Sequence, residues 1–520
     1  MPSFEAQFVN WKPKHPAFQS LIWAFLDELS PVYIVGGAVR DHLLQQDKEL
    51  ADLDLVIGQP ALATAQRVAD RIGWAYYPMD EARDIARLVF TLSGDEPLVC
   101  DVARMQGQGI EQDLLARDFT INAMAIAVDR EQPPRLIDIC GGQADLEEGL
   151  LRRVSVMSLA EDAVRLIRAV RMSSQFGFRL EEETRAQVKR LSGTVRLAST
   201  ERIRDELWKL STTSAPDQAI EEMRILSLLA HVLPEVAATI GIEQSPPHYL
   251  DVYSHTLKTV RYATFLRKWI VSGEVSERGE AADELVKALS PWRHKLRGHF
   301  LRTIAAARSR ADWLIWHALL HDIGKPSTRT REEQPDGAMR YRFLGHDELG
   351  AQMTERILGE LRFSRQEISL STAVVRSHMR PHMLHASFGD QPISRRACYR
   401  FFRDVGNRQH GQPAAVDTLM LALADVLATY RERPDDWGNY LRHANQLLAF
   451  AFDDTGLKTA QRQPLVDGHR LMQELELAPG RQLGEMLERL KEAQVAGEIA
   501  TTDEALALAS DWLESGYGSS

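Results

Sequence analysis

The stretch Val32–Val56, VYIVGGAVRDHLLQQDKELADLDLV, narrows the possible folds more than any other part of the chain. Its apolar opening (Val32, Tyr33, Ile34, Val35) predicts a short strand, Gly36–Gly37 a turn, and the segment with Arg40 and Asp41 a helix. A second strand follows, in which Asp52 and Asp54 alternate with Leu53 and Leu55. Side chains two apart on a strand share a face, so the carboxylates lie on one side and the leucines on the other. Two like charges on one face call for a cation, and Mg²⁺ is held by one or two carboxylates together with substrate phosphate oxygens. The glycines just upstream let backbone N–H groups approach a polyphosphate at a helix N-terminus. A triphosphate beside a carboxylate-bound metal is the equipment for nucleotidyl transfer.

A Gly-Gly turn alone is usually only a turn, and a D-x-D alone usually a solvated strand edge. Their order here, strand–turn–helix–strand, gives them meaning together. GGAVRD followed by DLDLV resembles the nucleotidyltransferase signature shared by bacterial tRNA CCA-adding enzymes and bacterial poly(A) polymerases. The resemblance implies an α+β chain: a polymerase-β-like nucleotidyltransferase domain with a mixed sheet, then an all-α neck, an all-α HD domain and a helical tail. The expected boundaries are a lead-in at 1–31, a catalytic domain at 32–154, a neck at 155–235, an HD domain at 236–435 and a helical region at 436–520.

Composition limits the alternatives. The 520 residues are 44% hydrophobic and 26% charged, as in an ordinary multidomain globular protein. No apolar run reaches the roughly 18–20 residues of a membrane helix, and the opening MPSFEAQFVNWKPKHP lacks a signal-peptide core. Cys100, Cys140 and Cys398 are too few and too far apart for a disulfide framework or a zinc cluster. These features predict a cytoplasmic protein with no membrane partner. The net charge of −11 argues against indiscriminate nucleic-acid binding. From Arg152 to Leu210, however, 13 Lys/Arg stand against 8 Asp/Glu, a local excess suited to a phosphate backbone.

Beyond the opening motif, residues 18–29 and 61–72 read as helices, and 74–77, 86–92 and 98–102 as strands. The resemblance makes Asp101, on the last of these, the third carboxylate of the catalytic set. Glu111–Ala125, EQDLLARDFTINAMA, is similar to the family motif ending Arg-Arg-Asp-Phe-Thr-x-Asn-Ala, with Ala116 in place of the first arginine. The resemblance assigns Arg117 to the incoming triphosphate, and Asp118 and Asn122 to shaping the nucleotide site. Arg135–Val154 follows the family again, reading as strand, Gly141–Gly142 turn and helix.

Glu161–Arg171, EDAVRLIRAVR, reads as one helix with Asp162, Arg165, Arg168 and Arg171 as a polar stripe beside Val164, Ile167 and Val170. It resembles the family's E-D-x-x-R motif, in which side chains stand in for a template. Cytosine and adenine both present an amino donor beside a ring-nitrogen acceptor. Asp only accepts and Arg only donates, so Asp162 with Arg165 complements both bases. A base of reversed polarity, or one without the amino group, leaves a buried charged group unpaired. The resemblance also places Arg168 and Arg171 on the nucleotide, while Glu201, Arg202 and Glu206 of Ser199–Leu210 read as structural.

The second half changes to long helices with scattered histidines. His255, His321–Asp322 with Lys325, His346, His378 and Asp425 resemble the HD-domain phosphohydrolase superfamily. The resemblance makes them a divalent-metal site, and imidazole with carboxylate suits Mn²⁺, Fe²⁺, Ni²⁺ or Mg²⁺. Residues 273–308 and 328–340 read as loops or insertions, 440–452 and 483–495 as helices, and the SGYGSS tail as disordered.

The expected function is addition of C and A to the 3′ end of tRNA from CTP and ATP, with Mg²⁺ held by Asp52 and Asp54. Three rivals stay open: an enzyme adding only CC or only A, a poly(A) polymerase, and an HD phosphohydrolase whose front domain only binds RNA. The polymerase reading is disfavoured because the C-terminus has no basic extension. Oligomeric state is not legible.

Overall fold

The computed structural model describes residues 7–13, 15–45, 52–91, 97–335, 337, 339–405, 414–453 and 463–515. Part of the opening motif (46–51) and 516–520 of the tail lie outside the described residues. The chain divides into two compact units, one of Met1–Leu210 with Glu222–Val232, the other of Ser211–Glu221 with Leu233–Ser520.

The first unit is built on an eight-stranded sheet. Its strands are β1 (Gln7–Phe8), β2 (Val32–Val35), β3 (Asp52–Ile57), β4 (Ala75–Asp80), β5 (Ile85–Phe90), β6 (Leu98–Arg104), β7 (Met124–Val128) and β8 (Arg135–Asp138). The order is β1-β8-β7-β2-β3-β6-β5-β4. β3 and β6 run parallel, and β2–β3, β2–β7, β5–β6, β4–β5, β7–β8 and β1–β8 antiparallel. The parallel pair needs a long crossover, supplied by the Ala61–Ile72 helix and the β4–β5 hairpin. That helix buries Ala61, Ala65, Val68 and Ala69 along one stripe and stops at Gly73, whose φ of 76° suits a left-handed cap. Around the mixed core, Val35, Val56 and Ala125 pack with Ile110 and Leu114.

β3 decides the site. Leu53 and Leu55 are each 1% exposed, whereas Asp52 and Asp54 are open to solvent. Strand alternation thus turns both carboxylates to the same face.

The neck differs from the sequence expectation. Glu161–Arg171 is not one helix: a short helix, Ser158–Glu161, ends at Asp162, whose backbone is extended (φ −143°, ψ 101°), and a new helix runs from Arg165 to Phe176. The cause is local, since the Asp162 carboxylate accepts from the Val164 amide at 3.3 Å. Aspartate competes for backbone donors in this way and favours helix starts over helix interiors.

The second unit is helical. Ala415–Thr429 is buried on every side, as a central helix must be. Around it pack Val252–Ser272, Arg310–Leu320, Arg365–Ser377, Arg380–Phe388, Arg395–Val405 and Trp437–Phe452. Two segments read as loops are ordered. Residues 280–289 form a helix burying Ala282, Leu285 and Leu289, and 293–300 form another. Thr330–Glu333 pairs antiparallel with Met339–Arg342. Toward the C-terminus, Gly468–Glu474, Arg481–Ala496 and Thr502–Glu514 share a core of Leu471, Met486, Leu490 and Ala509. Among the described residues no helix is long and apolar enough to cross a membrane.

Candidate active site and metal centre

Register builds the first site. On the parallel pair, Asp54 of β3 stands opposite Asp101 of β6, and Asp101 in turn stands opposite Arg87 of β5. Arg87 grips Asp101 with two hydrogen bonds, Nε to Oδ1 and Nη2 to Oδ2, both 2.8 Å. The sequence reading missed Arg87, because its partner lies on the neighbouring strand, 14 residues away in the chain, and nothing local marks it.

Gly36 carries a φ of 69°, and a Cβ there would lie 3.2 Å from Asp54 Oδ2 and 3.5 Å from Arg117 Nη1. The turn, the carboxylate and Arg117 therefore share one small space. Arg117 is steadied by Asp113 one helical turn earlier, at 3.1 Å. Desolvation, helped by the charge of Asp101 and then by Asp52, pushes the Asp54 carboxyl up to about 6 against the pull of Arg117 and Arg87. A carboxyl whose pKa is raised by neighbouring carboxylates fits a divalent cation.

From this space a polar chain runs into the neck. Arg40 Nη1 donates to Asn122 Oδ1 (2.7 Å), with the guanidinium over the Phe176 ring at 4.4 Å. Asn122 Nδ2 donates to Asp118 Oδ1 (3.2 Å), and Asp118 Oδ2 accepts from Arg168 (2.9 Å). Buried Glu206 takes Arg168 on Oε1 (2.9 Å) and Arg171 on Oε2 (2.6 Å). Burial opposes the Arg168 charge, but Asp118 and Glu206 outweigh it and raise its pKa above the ordinary value.

At the predicted base-reading pair, Arg165 Nε is 3.8 Å from Asp162 Oδ2. The Arg165 fork is spent on backbone carbonyls, Nη1 to Ser158 at 2.8 Å and Nη2 to Ala116 at 3.2 Å. Both Asp162 oxygens instead accept from Arg202, at 3.0 and 2.5 Å. Arg202, read from sequence as structural, thus lies on the base-reading carboxylate. Burial would raise the Asp162 carboxyl, and Arg202 outweighs it and holds the carboxyl below the usual range.

The second unit brings together all six residues expected at a metal site. His255, His321 and Asp322 form one group, and Asp322, His346 and His378 another, with ligand atoms in each within 4.8 Å of one another. His255 Nε2 is 2.9 Å from Asp425 Oδ1. Three of the imidazoles are oriented alike: Nδ1 of His321, His346 and His378 lies 2.8, 2.7 and 2.6 Å from the carbonyls of Ala318, Phe343 and Val375. A carbonyl only accepts, so each Nδ1 carries the hydrogen and each Nε2 of a neutral ring keeps a lone pair. His255 Nε2, His321 Nε2 and Asp322 Oδ2 are buried, and although Asp425, Asp322 and Lys325 lie close to them none makes a well-directed hydrogen bond. Such a donor set fits a divalent metal, which satisfies several convergent lone pairs at once. Lys325 Nζ reaches Asp322 Oδ2 at 2.7 Å, and His382, unremarked in the sequence, places Nε2 3.0 Å from Asp425 Oδ2. The cluster opens into a cavity of about 620 Å³ that Lys325, Arg340, Arg342 and Tyr440 also line.

Known proteins match along most of the chain. Residues 32–152 match the poly A polymerase head domain, 177–240 the RNA and SrmB-binding site of polymerase A, 296–430 the HD domain, and 436–509 the tRNA nucleotidyltransferase domain 2. The chain is 32% identical over 494 residues to the A-adding tRNA nucleotidyltransferase of Deinococcus radiodurans, covering 94% of this chain and 96% of that protein. This chain belongs to the tRNA nucleotidyltransferase family. The CC-adding tRNA nucleotidyltransferase of Thermus thermophilus is 30% identical over 483 residues, 92% of this chain and 93% of the relative. A solved CCA-adding enzyme in complex with ATP shares the fold, with a TM-score of 0.62 at 20% identity over 98% of this chain and 99% of that one. As a tRNA nucleotidyltransferase the protein is a transferase of α+β build that carries an HD domain.

Proposed function

We propose that this nucleotidyltransferase adds C and A to the 3′ end of tRNA in the cytoplasm, taking CTP and ATP and releasing pyrophosphate. One observation carries the reading: Asp52 and Asp54 turn to the open face of β3, with Asp54 beside Gly36 and Arg117, in a chain of this family. Asp52 and Asp54 would hold Mg²⁺, which when bound supplies the positive charge that makes the RNA hydroxyl a better nucleophile and eases departure of pyrophosphate, while Asp101, both of whose oxygens accept from Arg87, completes the carboxylate set beside them. The chain's own residues do the rest. The Gly36–Gly37 backbone, Arg40 and Arg117 take the triphosphate, and Asp118 and Asn122 keep Arg40 and Arg168 in place. Asp162 accepts from the base amino group while Arg165 donates to the ring nitrogen, and Arg168 and Arg171 close the site from the neck.

The second unit supports a separate metal-dependent phosphohydrolase. His255, His321, Asp322, His346, His378 and Asp425 would hold Mn²⁺, Fe²⁺, Ni²⁺ or Mg²⁺, and the cations lining the cavity suit a phosphate ester.

A second reading, addition of CC alone or A alone, is raised by the names of three relatives that each match over nine-tenths of the chain, one A-adding and two CC-adding. The test offers tRNA transcripts ending before CCA, after C and after CC, with CTP, ATP or both, and sequences the 3′ ends. Full activity completes CCA and stops. Termination at CC with both nucleotides, or extension only of the CC-ended transcript, selects a partial enzyme. A long A tail, or no extension, overturns the proposal.

A further inference from the structure

The carboxylate expected to accept from the incoming base already has an occupant. Arg202 enters from the first turn of the Thr200–Ser211 helix and lays two parallel N–H donors on Asp162, Nη1 on Oδ1 at 3.0 Å and Nη2 on Oδ2 at 2.5 Å. Among the described residues Asp162 has no other side-chain donor at hydrogen-bond distance, since Arg165 Nε stands off at 3.8 Å with its fork held by Ser158 and Ala116. The two arginines differ in how firmly they are held. Arg165 is anchored by two carbonyls and its side chain is 17% exposed, whereas Arg202 is 45% exposed. A bidentate guanidinium offers a carboxylate the same kind of donor as an amino group on a planar ring.

We infer that Arg202 is a displaceable stand-in for the base, covering the acceptors of Asp162 until a nucleotide with a correctly placed amino donor takes them over. The inference rests on the reading of Asp162 and Arg165 as the base-selecting pair and adds to it a positioning residue that acts through Asp162. Displacement suits the energetics. An ion pair whose guanidinium is largely exposed is weakly held, so a cytosine or adenine amino group can replace it. A base without that donor would strip Arg202 from Asp162 and give nothing back, leaving a half-buried carboxylate unpaired. Arg202 would therefore slightly weaken the binding of every nucleotide that displaces it, while the choice among bases stays with Asp162.

The test is equilibrium binding of CTP, ATP and UTP to the full chain without tRNA, for the wild type, Arg202→Ala, Asp162→Ala and the double variant. Arg202→Ala should tighten CTP and ATP by about two- to five-fold. The same substitution in the Asp162→Ala background should change neither, because no acceptor remains to be freed. Arg202→Gln keeps the side-chain stem and one donor, and should move CTP and ATP in the same direction by less, which guards against a misfolded alanine variant. Unchanged or weaker CTP binding in both Arg202 variants would overturn the inference. Failure of the underlying reading looks different: Asp162→Ala would then keep the wild-type ratio of CTP to UTP affinity, whatever Arg202 does.

Discussion

His346 and His378 face each other nitrogen to nitrogen, with their Nε2 atoms 3.2 Å apart. Each Nδ1 is already directed at a backbone carbonyl, so in the neutral rings two lone pairs meet at that distance. A proton between them is disfavoured: burial and the neighbouring His346 and His321 push His378 down to about 3. A metal ion resolves the conflict, and it would do so beside Asp322, whose Oδ1 is 3.5 Å from His346 Nε2 and 3.8 Å from His378 Nε2.

Metal should therefore stabilise the second unit. Titrating Mn²⁺ or Ni²⁺ into metal-free protein is expected to raise the thermal midpoint, by the equivalent of about 2.7 kcal/mol at a hundredfold excess over Kd. Asp322→Ala, which removes the residue common to both ligand groups, should abolish the shift, and His378→Ala should reduce it. Calorimetry with and without metal checks this, and an equal shift in the wild type and Asp322→Ala would contradict it.

The pH response of the first site follows from Asp54. Its folded pKa of about 6 lies above the ordinary 3.8. The folded state holds the extra proton in that window, so Asp54's contribution to stability falls as pH rises from 3.8 to about 6. Its capacity to hold a cation rises over the same range. The Mg²⁺ concentration for half-maximal nucleotide addition should thus fall as pH is raised from 5 to 7. Arg87 is among the charges that lower the Asp54 pKa, so Arg87→Met should shift this transition to higher pH. A pH-independent half-saturation would contradict the account.

Glu206 is the point where two neck arginines converge, and its own exposure is only 4%. Glu206→Ala is expected to cost about 1–3 kcal/mol, since it strands donors that are mostly sheltered from water. It should also raise the KM for both CTP and ATP by freeing Arg168 from its fixed place beside Asp118. Glu206→Gln, which keeps an acceptor, should recover part of both losses. Denaturant unfolding and steady-state kinetics on the three proteins measure this. A stability loss with no change in KM would assign Glu206 to the fold alone.

Physical chemistry explains what the sequence disclosed. The carboxylate strand was legible because alternation is strict over Asp52–Leu55: Leu53 and Leu55 are core residues, and Asp52 and Asp54 can only point the other way. The metal cluster was legible because imidazole and carboxylate side chains recur among otherwise apolar helices. The break at Asp162 was not legible, since the apolar spacing runs straight through it and a single carboxylate–amide contact decides the backbone. Arg87 escaped notice and Arg202 was read as structural for another reason: each is defined by a partner on a neighbouring element, and no local pattern marks an arginine that will face a carboxylate. The helix over 280–289 was obscured by charges between Ala282, Leu285 and Leu289, which still form one buried stripe.

The most direct test is nucleotide addition to a tRNA transcript lacking its terminal CCA, comparing the wild type with Asp52→Asn and Asp54→Asn, each checked for an unchanged thermal midpoint. The account predicts a fall in the rate of the first addition of roughly 10²–10³-fold or more in both variants, with metal-dependent stabilisation of the second unit left intact. Near-wild-type addition by either folded variant would contradict it.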